Sequence, residues 1–263
     1  MNNVKGDPMR LSTLVFASSM LLAPLVAAQA KDEGLAKAIA GAHRTPSFVE
    51  RDKYRKPQEE LEFFGIKPNM TVVEISPGGG YWTEILGPYL KDKGTYYTVI
   101  SPRQAEAWKK KLDANPELYG KVKVSQSPEV APDGSADLVL TFRNVHNWMA
   151  AGTAEQMFAS FYKALKPGGI LGVEEHRASD KTPQDPKAAS GYVRQDYTVQ
   201  LAEKAGFKLV GSSEMLANPK DTKDWPKGVW TLPPTLTLGD QDRAKYLAIG
   251  EADNFVLKFQ KPK

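Results

Sequence analysis

Two short polar runs carry the side chains best suited to chemistry. Arg143-Asn144-Val145-His146-Asn147-Trp148 follows one aliphatic stretch, and Glu174-Glu175-His176-Arg177 follows another. Together they hold two of the chain's 3 histidines. Imidazoles and carboxylates exchange protons near neutral pH and also ligate metals, so three readings are open. His146 or Glu175 acts as a general base that takes a proton from a substrate hydroxyl or amine. His146, His176 and a Glu bind a divalent metal, which suits imidazole and carboxylate donors. Or the residues form a hydrogen-bonded network that ties loops together. The base reading is carried forward, and no metal is assigned.

A second motif lies upstream. Glu74-Ile75-Ser76-Pro77-Gly78-Gly79-Gly80-Tyr81 joins a β-branched run, Thr71 to Ile75, to a helical pattern running from about Tyr81 to Leu90. Glycines are needed where a chain turns sharply and its backbone closely approaches a ligand, because a Cβ would collide. Neither a GxGxxG nor a GKS/T pattern is present, so the phosphate-cradling version of such a turn is excluded. A plain structural turn is the simpler reading. The strand before it, the helix after it and the acid at the strand's end favour a ligand contact.

The elements that must position these groups follow from periodicity. Pro57 to Phe64 reads as a helix, with Pro in its first turn, Glu59, Glu60 and Glu62 near its positive end, and Gly65 just beyond it. Strands are expected at 71–75, 95–100, 122–125, 136–142, 170–173, 207–210 and 255–259, and helices at 105–112 and 194–205. Met157, Phe158, Phe161 and Leu165 recur at helical spacing before Pro167-Gly168-Gly169, the expected stop. Short apolar strands alternating with amphipathic helices imply a Rossmann-like α/β fold. Its seven-stranded sheet is mostly parallel, has helices on both faces and ends in an antiparallel hairpin. No convincing helix separates the last two strands. Residues 31–65 form an N-terminal helical segment, with a short helix and a loop over 31–56. Residues 217–252 form a Pro- and Trp-rich insertion before the last strand, too long for a plain hairpin loop. Trp225, Trp230 and Tyr246 either wall a substrate pocket or pack the insertion down. His43 and Arg51-Asp52 are candidates to cap the same cleft.

Taken together, these motifs resemble the class I S-adenosylmethionine (SAM)-dependent methyltransferases. The family's first motif, acid-x-Gly-x-Gly-x-Gly, is matched at Glu74, Gly78 and Gly80, with Ser76 in place of the first glycine. Ala136-Asp137-Leu138-Val139-Leu140 looks like the family's fourth strand, and Ala164-Leu165-Lys166-Pro167-Gly168-Gly169 like the loop leading to its fifth. More narrowly, Phe63-Phe64-Gly65, the Pro-Gly-Gly-Gly-Tyr turn and Arg143-Asn144-Val145-His146 resemble a group of predicted bacterial methyltransferases that are often exported. The resemblance implies SAM as cofactor, with Glu74, Ser76, Pro77, Gly78, Gly79, Gly80, Tyr81 and Ser101 around it. The backbone of Gly78 to Gly80 would face the methionine part, and Glu74 would hold the turn or reach the ligand through water. One departure is plain: the family places an acid at the end of its second strand, whereas Thr95 to Pro102 has none, and Ser101 or Gln104 stands nearest. In the family's strand order the fourth and fifth strands are neighbours, so both polar runs would overhang one cleft. That makes His146, Glu175 and Asn144 the candidate catalytic residues, with Asn144 orienting substrate.

Composition narrows the partners. Lys and Arg number 35 against 31 Asp and Glu, a net charge of +4, and the basic residues are scattered. Nucleic-acid recognition clusters its cations, so no nucleic-acid partner is expected. Cysteine is absent, which excludes disulfides, thiolate metal sites, a cysteine nucleophile and a lipoprotein anchor. Lys5 and Arg10, the apolar run from Leu11 to Val26, and Ala28-Gln29-Ala30 have the form of a secretory signal cut after Ala30. The expected mature chain, 31–263, has no run long enough to span a membrane and would lie in the periplasm or outside the cell. The functional expectation is a SAM-dependent methyltransferase acting on a small molecule. The rival class is a non-catalytic or repurposed SAM-fold binding protein of the cell envelope, and metal-dependent hydrolysis is a third.

Overall fold

The computed structural model describes residues 1–3 and 32–263. Residues 4–31, which hold nearly all of the expected signal segment, lie outside the described residues.

Four short helices open the described chain: α1 (Glu33–Ile39), α2 (Pro46–Val49), α3 (Asp52–Arg55) and α4 (Pro57–Phe64). Asp32 caps α1 by accepting the Leu35 N–H at 3.0 Å. Prolines start α2 and α4, and Gly65, at φ +82°, ends α4 in the left-handed region that favours glycine. The segment expected to hold one short helix and a loop thus holds three helices. Pro46, and Lys56 at φ +39° before Pro57, divide it.

The alternating part follows as β1 (Thr71–Ile75), α5 (Thr83–Leu90), β2 (Thr95–Ile100), α6 (Ala105–Asp113), α7 (Pro116–Tyr119) and β3 (Lys123–Gln126). It continues through β4 (Ala136–Phe142), α8 (Val145–Ala151), α9 (Ala154–Ala164), β5 (Leu165–His176), α10 (Gln195–Lys204), β6 (Lys208–Ser213), α11 (Arg243–Ile249) and β7 (Asn254–Gln260). The seven-stranded sheet runs β3-β2-β1-β4-β5-β7-β6. Only β7 is antiparallel to its neighbours, which makes the closing β6–β7 hairpin. Side chains alternate across the sheet as a period of two requires. Val73, Val139, Leu171 and Phe259 enter a core with Phe158 and Phe161 of α9 and Leu201 of α10. Val72, Leu138, Leu140 and Val256 enter the opposite one with Leu35, Phe64 and Leu86. The result is a mostly parallel, Rossmann-like sheet covered on both faces.

Three local features differ from or add to expectation. β4 stops at Phe142 as expected, but residues 145–151 after it wind into a helix, α8, that was not foreseen. Val145, Trp148 and Met149 are buried at helical spacing, and Gly152 ends the helix at φ +72°. The fifth strand starts at Leu165 rather than Ile170, because the ladder to Ala136 on one side and to β7 on the other extends it through the Gly168-Gly169 pair. The insertion, expected to lack a convincing helix, contains α11 and a 3₁₀ turn at Gly228–Thr231.

Candidate active site

The strand order turns back between β1 and β4, and ligands of such sheets bind outside the carboxyl ends of the strands at this point. The chain leaves β1 through a turn held by Ser76 N–H to the Val99 carbonyl at 2.8 Å and Gly80 N–H to the Pro77 carbonyl at 2.9 Å. Ser76, Gly78 and Gly80 all lie in the left-handed region, at φ +51°, +58° and +92°. Ser76 therefore adopts the glycine-like conformation of the position it fills. A Cβ on Gly78 would meet nothing within 4 Å, so this glycine faces open space, whereas one on Gly79 would press on the Phe48 ring at 3.2 Å. On Gly80 it would strike the Lys111 side chain, which reaches across to Glu84 at 2.9 Å.

Glu74, at the end of β1, is buried and accepts the hydroxyls of Thr83, at 2.6 Å, and Tyr96. It ties the strand end to the start of α5. Burial pushes its carboxyl up to about 7, against the opposing effect of the two hydroxyl hydrogen bonds. Tyr81 donates to Asp52 at 2.6 Å, and Trp82 stacks on Phe142 with centroids 4.1 Å apart.

The two polar runs meet because β4 and β5 are neighbours, with Phe142 opposite Glu174. His146 sits in the first turn of α8, its Nδ1 3.0 Å from Glu175 Oε1. Glu175 is fully buried and also accepts the backbone N–H groups of His146 and His176. Burial would raise its carboxyl, but the facing His146 and the hydrogen bonds outweigh that and hold it below the usual range. An acceptor at Nδ1 fixes the tautomer with the proton on that nitrogen and leaves Nε2 with its lone pair. His176 is anchored in the same way by Asn254 Oδ1 at 2.7 Å, and burial pushes its imidazole down to about 3, so it stays neutral. The two rings are 5.6 Å apart. His146, Glu175 and His176 can bring one donor atom each within 4.8 Å of one another, although both Glu175 oxygens already accept hydrogen bonds. Asn144, just before α8, donates from its amide to the Ile75 carbonyl at 3.1 Å and so links β4 to β1.

A cleft of about 280 Å³ joins these parts. Glu74, Ser76, Pro77, Gly78, Gly79 and Tyr81 line it from the turn, Asn144 and His146 from the start of α8, and His176 from the end of β5. Glu175 lies behind His146, and Gly80 and Ser101 are not among the lining residues. The Ser101 hydroxyl instead donates to Gln104 at 2.9 Å in a capping box.

Residues 73–171 match the family model described as a methyltransferase domain. Over that stretch, from β1 into β5, the chain is similar to a methyltransferase domain. A sterol 24-C-methyltransferase of Gibberella zeae is 27% identical over 180 residues, 61% of this chain, and the match spans 45% of that relative's length. A SAM-dependent methyltransferase from Aquifex aeolicus has the same fold, at TM-score 0.56 and 18% identity, over 86% of this chain and 98% of that one. Phosphoethanolamine N-methyltransferase 2 of Haemonchus contortus superposes at TM-score 0.57 and 16% identity, over 87% and 57% of the two chains. The [4+2]-cyclase SpnF shares the fold too, at TM-score 0.56 and 15% identity, covering 88% and 92%. The architecture therefore hosts more than one chemistry, and the site must decide between them.

Three guanidiniums line the cleft: Arg51, a candidate cap, Arg143 of the first polar run, and Arg55, which sequence reasoning missed. Arg55 reaches the fully buried Glu174 at 2.9 Å, Arg51 reaches Glu251 at 2.5 Å, and Arg143 bridges them, 2.8 Å from Glu251 and 3.7 Å from Glu174. Arg143 takes φ +61°, an uncommon conformation for a residue with a Cβ. Glu251 and Asn254 come from the far end of the chain. Their only sequence signal was the expected return of the last strand beside the fifth, which sets His176 opposite Asn254. Of the insertion's aromatics, Trp230 lines the cleft 6.0 Å from His146, while Trp225 and Tyr246 pack on each other at 5.9 Å. Arg51 joins the cleft, Asp52 pairs with Arg44, and His43 bonds the Glu84 carbonyl.

Proposed function

We propose that this protein is a SAM-dependent methyltransferase acting on a small-molecule hydroxyl or amine, with His146 as general base and Glu175 as its positioning residue. The observation that carries the reading is a single cleft holding both an open glycine turn and an imidazole whose Nε2 has no hydrogen-bond partner among the described residues. The open space at Gly78 suits a ligand pressed against backbone, so Ser76 to Gly79 would hold the methionine part of SAM. Bound there, SAM supplies a sulfonium-activated methyl group. His146 Nε2 accepts the proton that the acceptor loses as its oxygen or nitrogen bonds to the methyl carbon. Glu175 stabilises the imidazolium that results, and Trp230 with Pro233 and Pro234 walls the acceptor side. Little further chemistry is required, because the leaving group is activated and alignment supplies much of the rate.

The test is turnover of methyl-labelled SAM by residues 31–263 against a panel of small hydroxyl and amine acceptors. Label should pass to the acceptor, and His146→Ala should slow transfer about 10²- to 10⁴-fold with affinity for S-adenosylhomocysteine unchanged. Transfer by His146→Ala at the parent rate would reject the base. The charged start, apolar run and Ala28-Gln29-Ala30 further support export. Protein recovered from the cell envelope should begin at Lys31, and recovery of only the uncut chain from the cytosol would count against it.

A further inference from the structure

Resting on that reading, we infer that the methyl acceptor carries an anionic oxygen group, a carboxylate or phosphate, held by Arg51 and Arg143 in the cleft that also contains His146. Three guanidiniums line this small cleft, whereas the two carboxylates that pair with them, Glu174 and Glu251, lie behind it. Glu60 is fully buried, its two oxygens have no hydrogen-bond partner among the described residues, and burial holds its carboxyl well above the usual range. Glu74 is taken up by two hydroxyls. Glu175, held below the usual carboxylate range behind His146, makes three buried carboxylates against three guanidiniums, so the site is balanced as a whole and its cationic members face the cleft.

The cofactor does not offset this positive face. Its amino-acid part is a zwitterion and its sulfonium is cationic, so the loaded cleft is more positive still. An acceptor with an acid group suits such a face, and guanidinium is the side chain that grips carboxylate or phosphate with two parallel hydrogen bonds. The placement fits this task. Arg143 follows β4 three residues ahead of His146, and Arg51 and Arg143 share Glu251, so an anion between them competes with one internal carboxylate. The left-handed backbone at Arg143 is the kind of strain that collects at ligand clamps. The buried Nε–H of Arg55 and indole N–H of Trp82 are two more donors at the cleft without an acceptor among the described residues.

Inorganic phosphate is the probe, titrated by calorimetry at constant ionic strength into residues 31–263 already saturated with S-adenosylhomocysteine. Saturable binding is expected, at least fivefold weaker in Arg51→Gln, only partly restored in Arg51→Lys, which keeps the charge but not the paired hydrogen bonds, and at least threefold tighter in Glu251→Gln, which frees both arginines. Circular dichroism confirms that each variant is folded. No saturable binding to the parent, or a Glu251→Gln variant that binds no better, overturns the inference. So does mutual exclusion of phosphate and S-adenosylhomocysteine, with Arg51→Gln weakening the latter, because the arginines would then hold the cofactor's own carboxylate. Phosphate binding by a protein that does not bind S-adenosylhomocysteine breaks the methyltransferase reading instead, and the acceptor assignment with it.

Discussion

The two walls of the cleft are built from different materials. The wall after β1 is backbone: a turn with three left-handed residues, braced by one buried carboxyl that needs only hydroxyl partners. The wall built by α3, the ends of β4 and β5 and the turn after α11 is side chain: guanidiniums and carboxylates that neutralise one another, beside two anchored imidazoles. A backbone wall is sensitive to volume and indifferent to charge. A wall of coupled charges is the reverse, since removing one member leaves its partners buried and unbalanced.

The largest expected effect is on the charged wall. Glu174→Ala strips the carboxylate between Arg55 and Arg143 and should cost about 3–5 kcal/mol in urea unfolding. A loss below about 1 kcal/mol would mean that the network is loosely coupled. Next comes a pair of opposite pH signatures. Glu251 is held down at about 2: burial works against it, but Arg51 and Arg143 prevail. Its folded value lies below its ordinary 4.5, so its stabilisation is complete above that value and is lost as pH falls toward 2. Glu74 is displaced upward from 4.5 to about 7, so its contribution is complete below 4.5 and is lost as pH rises through 7. Each shift corresponds to roughly 3 kcal/mol. Melting temperatures should therefore fall less between pH 5 and 8 in Glu74→Gln than in the parent, and less between pH 5 and 3 in Glu251→Gln. Parallel curves for parent and variant would remove the distinction between the walls. A smaller effect is expected at Trp230, which only walls the acceptor side. Trp230→Ala should raise the acceptor's KM about tenfold with kcat nearly kept, and a fall confined to kcat would place it in the chemistry instead.

The contrast also explains what the chain revealed before its structure. The backbone wall is local: strand, turn and helix lie within about twenty consecutive residues, and both the glycines and the β-branched run of β1 advertise it. The bounds of β1, β2, β4 and α4 coincide with the periodic runs. His146, Glu175 and His176 were legible as two polar runs, and their meeting followed from strand order. The pairing within the charged wall was not legible: Arg51 and Arg143 stood near the expected cleft, but Glu251 is distant in sequence and an arginine facing solvent looks the same as one facing a carboxylate. Helix α8 is masked in the sequence: Val145, Trp148, Met149 and Gly152 have helical spacing and a stop, but the polar residues between them break the apolar period. Ser101 was drawn in by analogy with an acid the chain lacks, and its capping box with Gln104 uses the same atoms.

The central claim is that the turn after β1 is where a cofactor rests. Calorimetric titration of residues 31–263 with S-adenosylhomocysteine tests it directly, in the parent and in Gly78→Val. Gly78 faces open space at φ +58°, so a valine there would project into the cleft and strain the turn by roughly 1–2 kcal/mol. The account predicts one site per chain in the parent and at least a tenfold loss in the variant, with circular dichroism still reporting a folded α/β domain. A parent that takes up no S-adenosylhomocysteine, or a folded Gly78→Val that binds it equally well, would contradict the account.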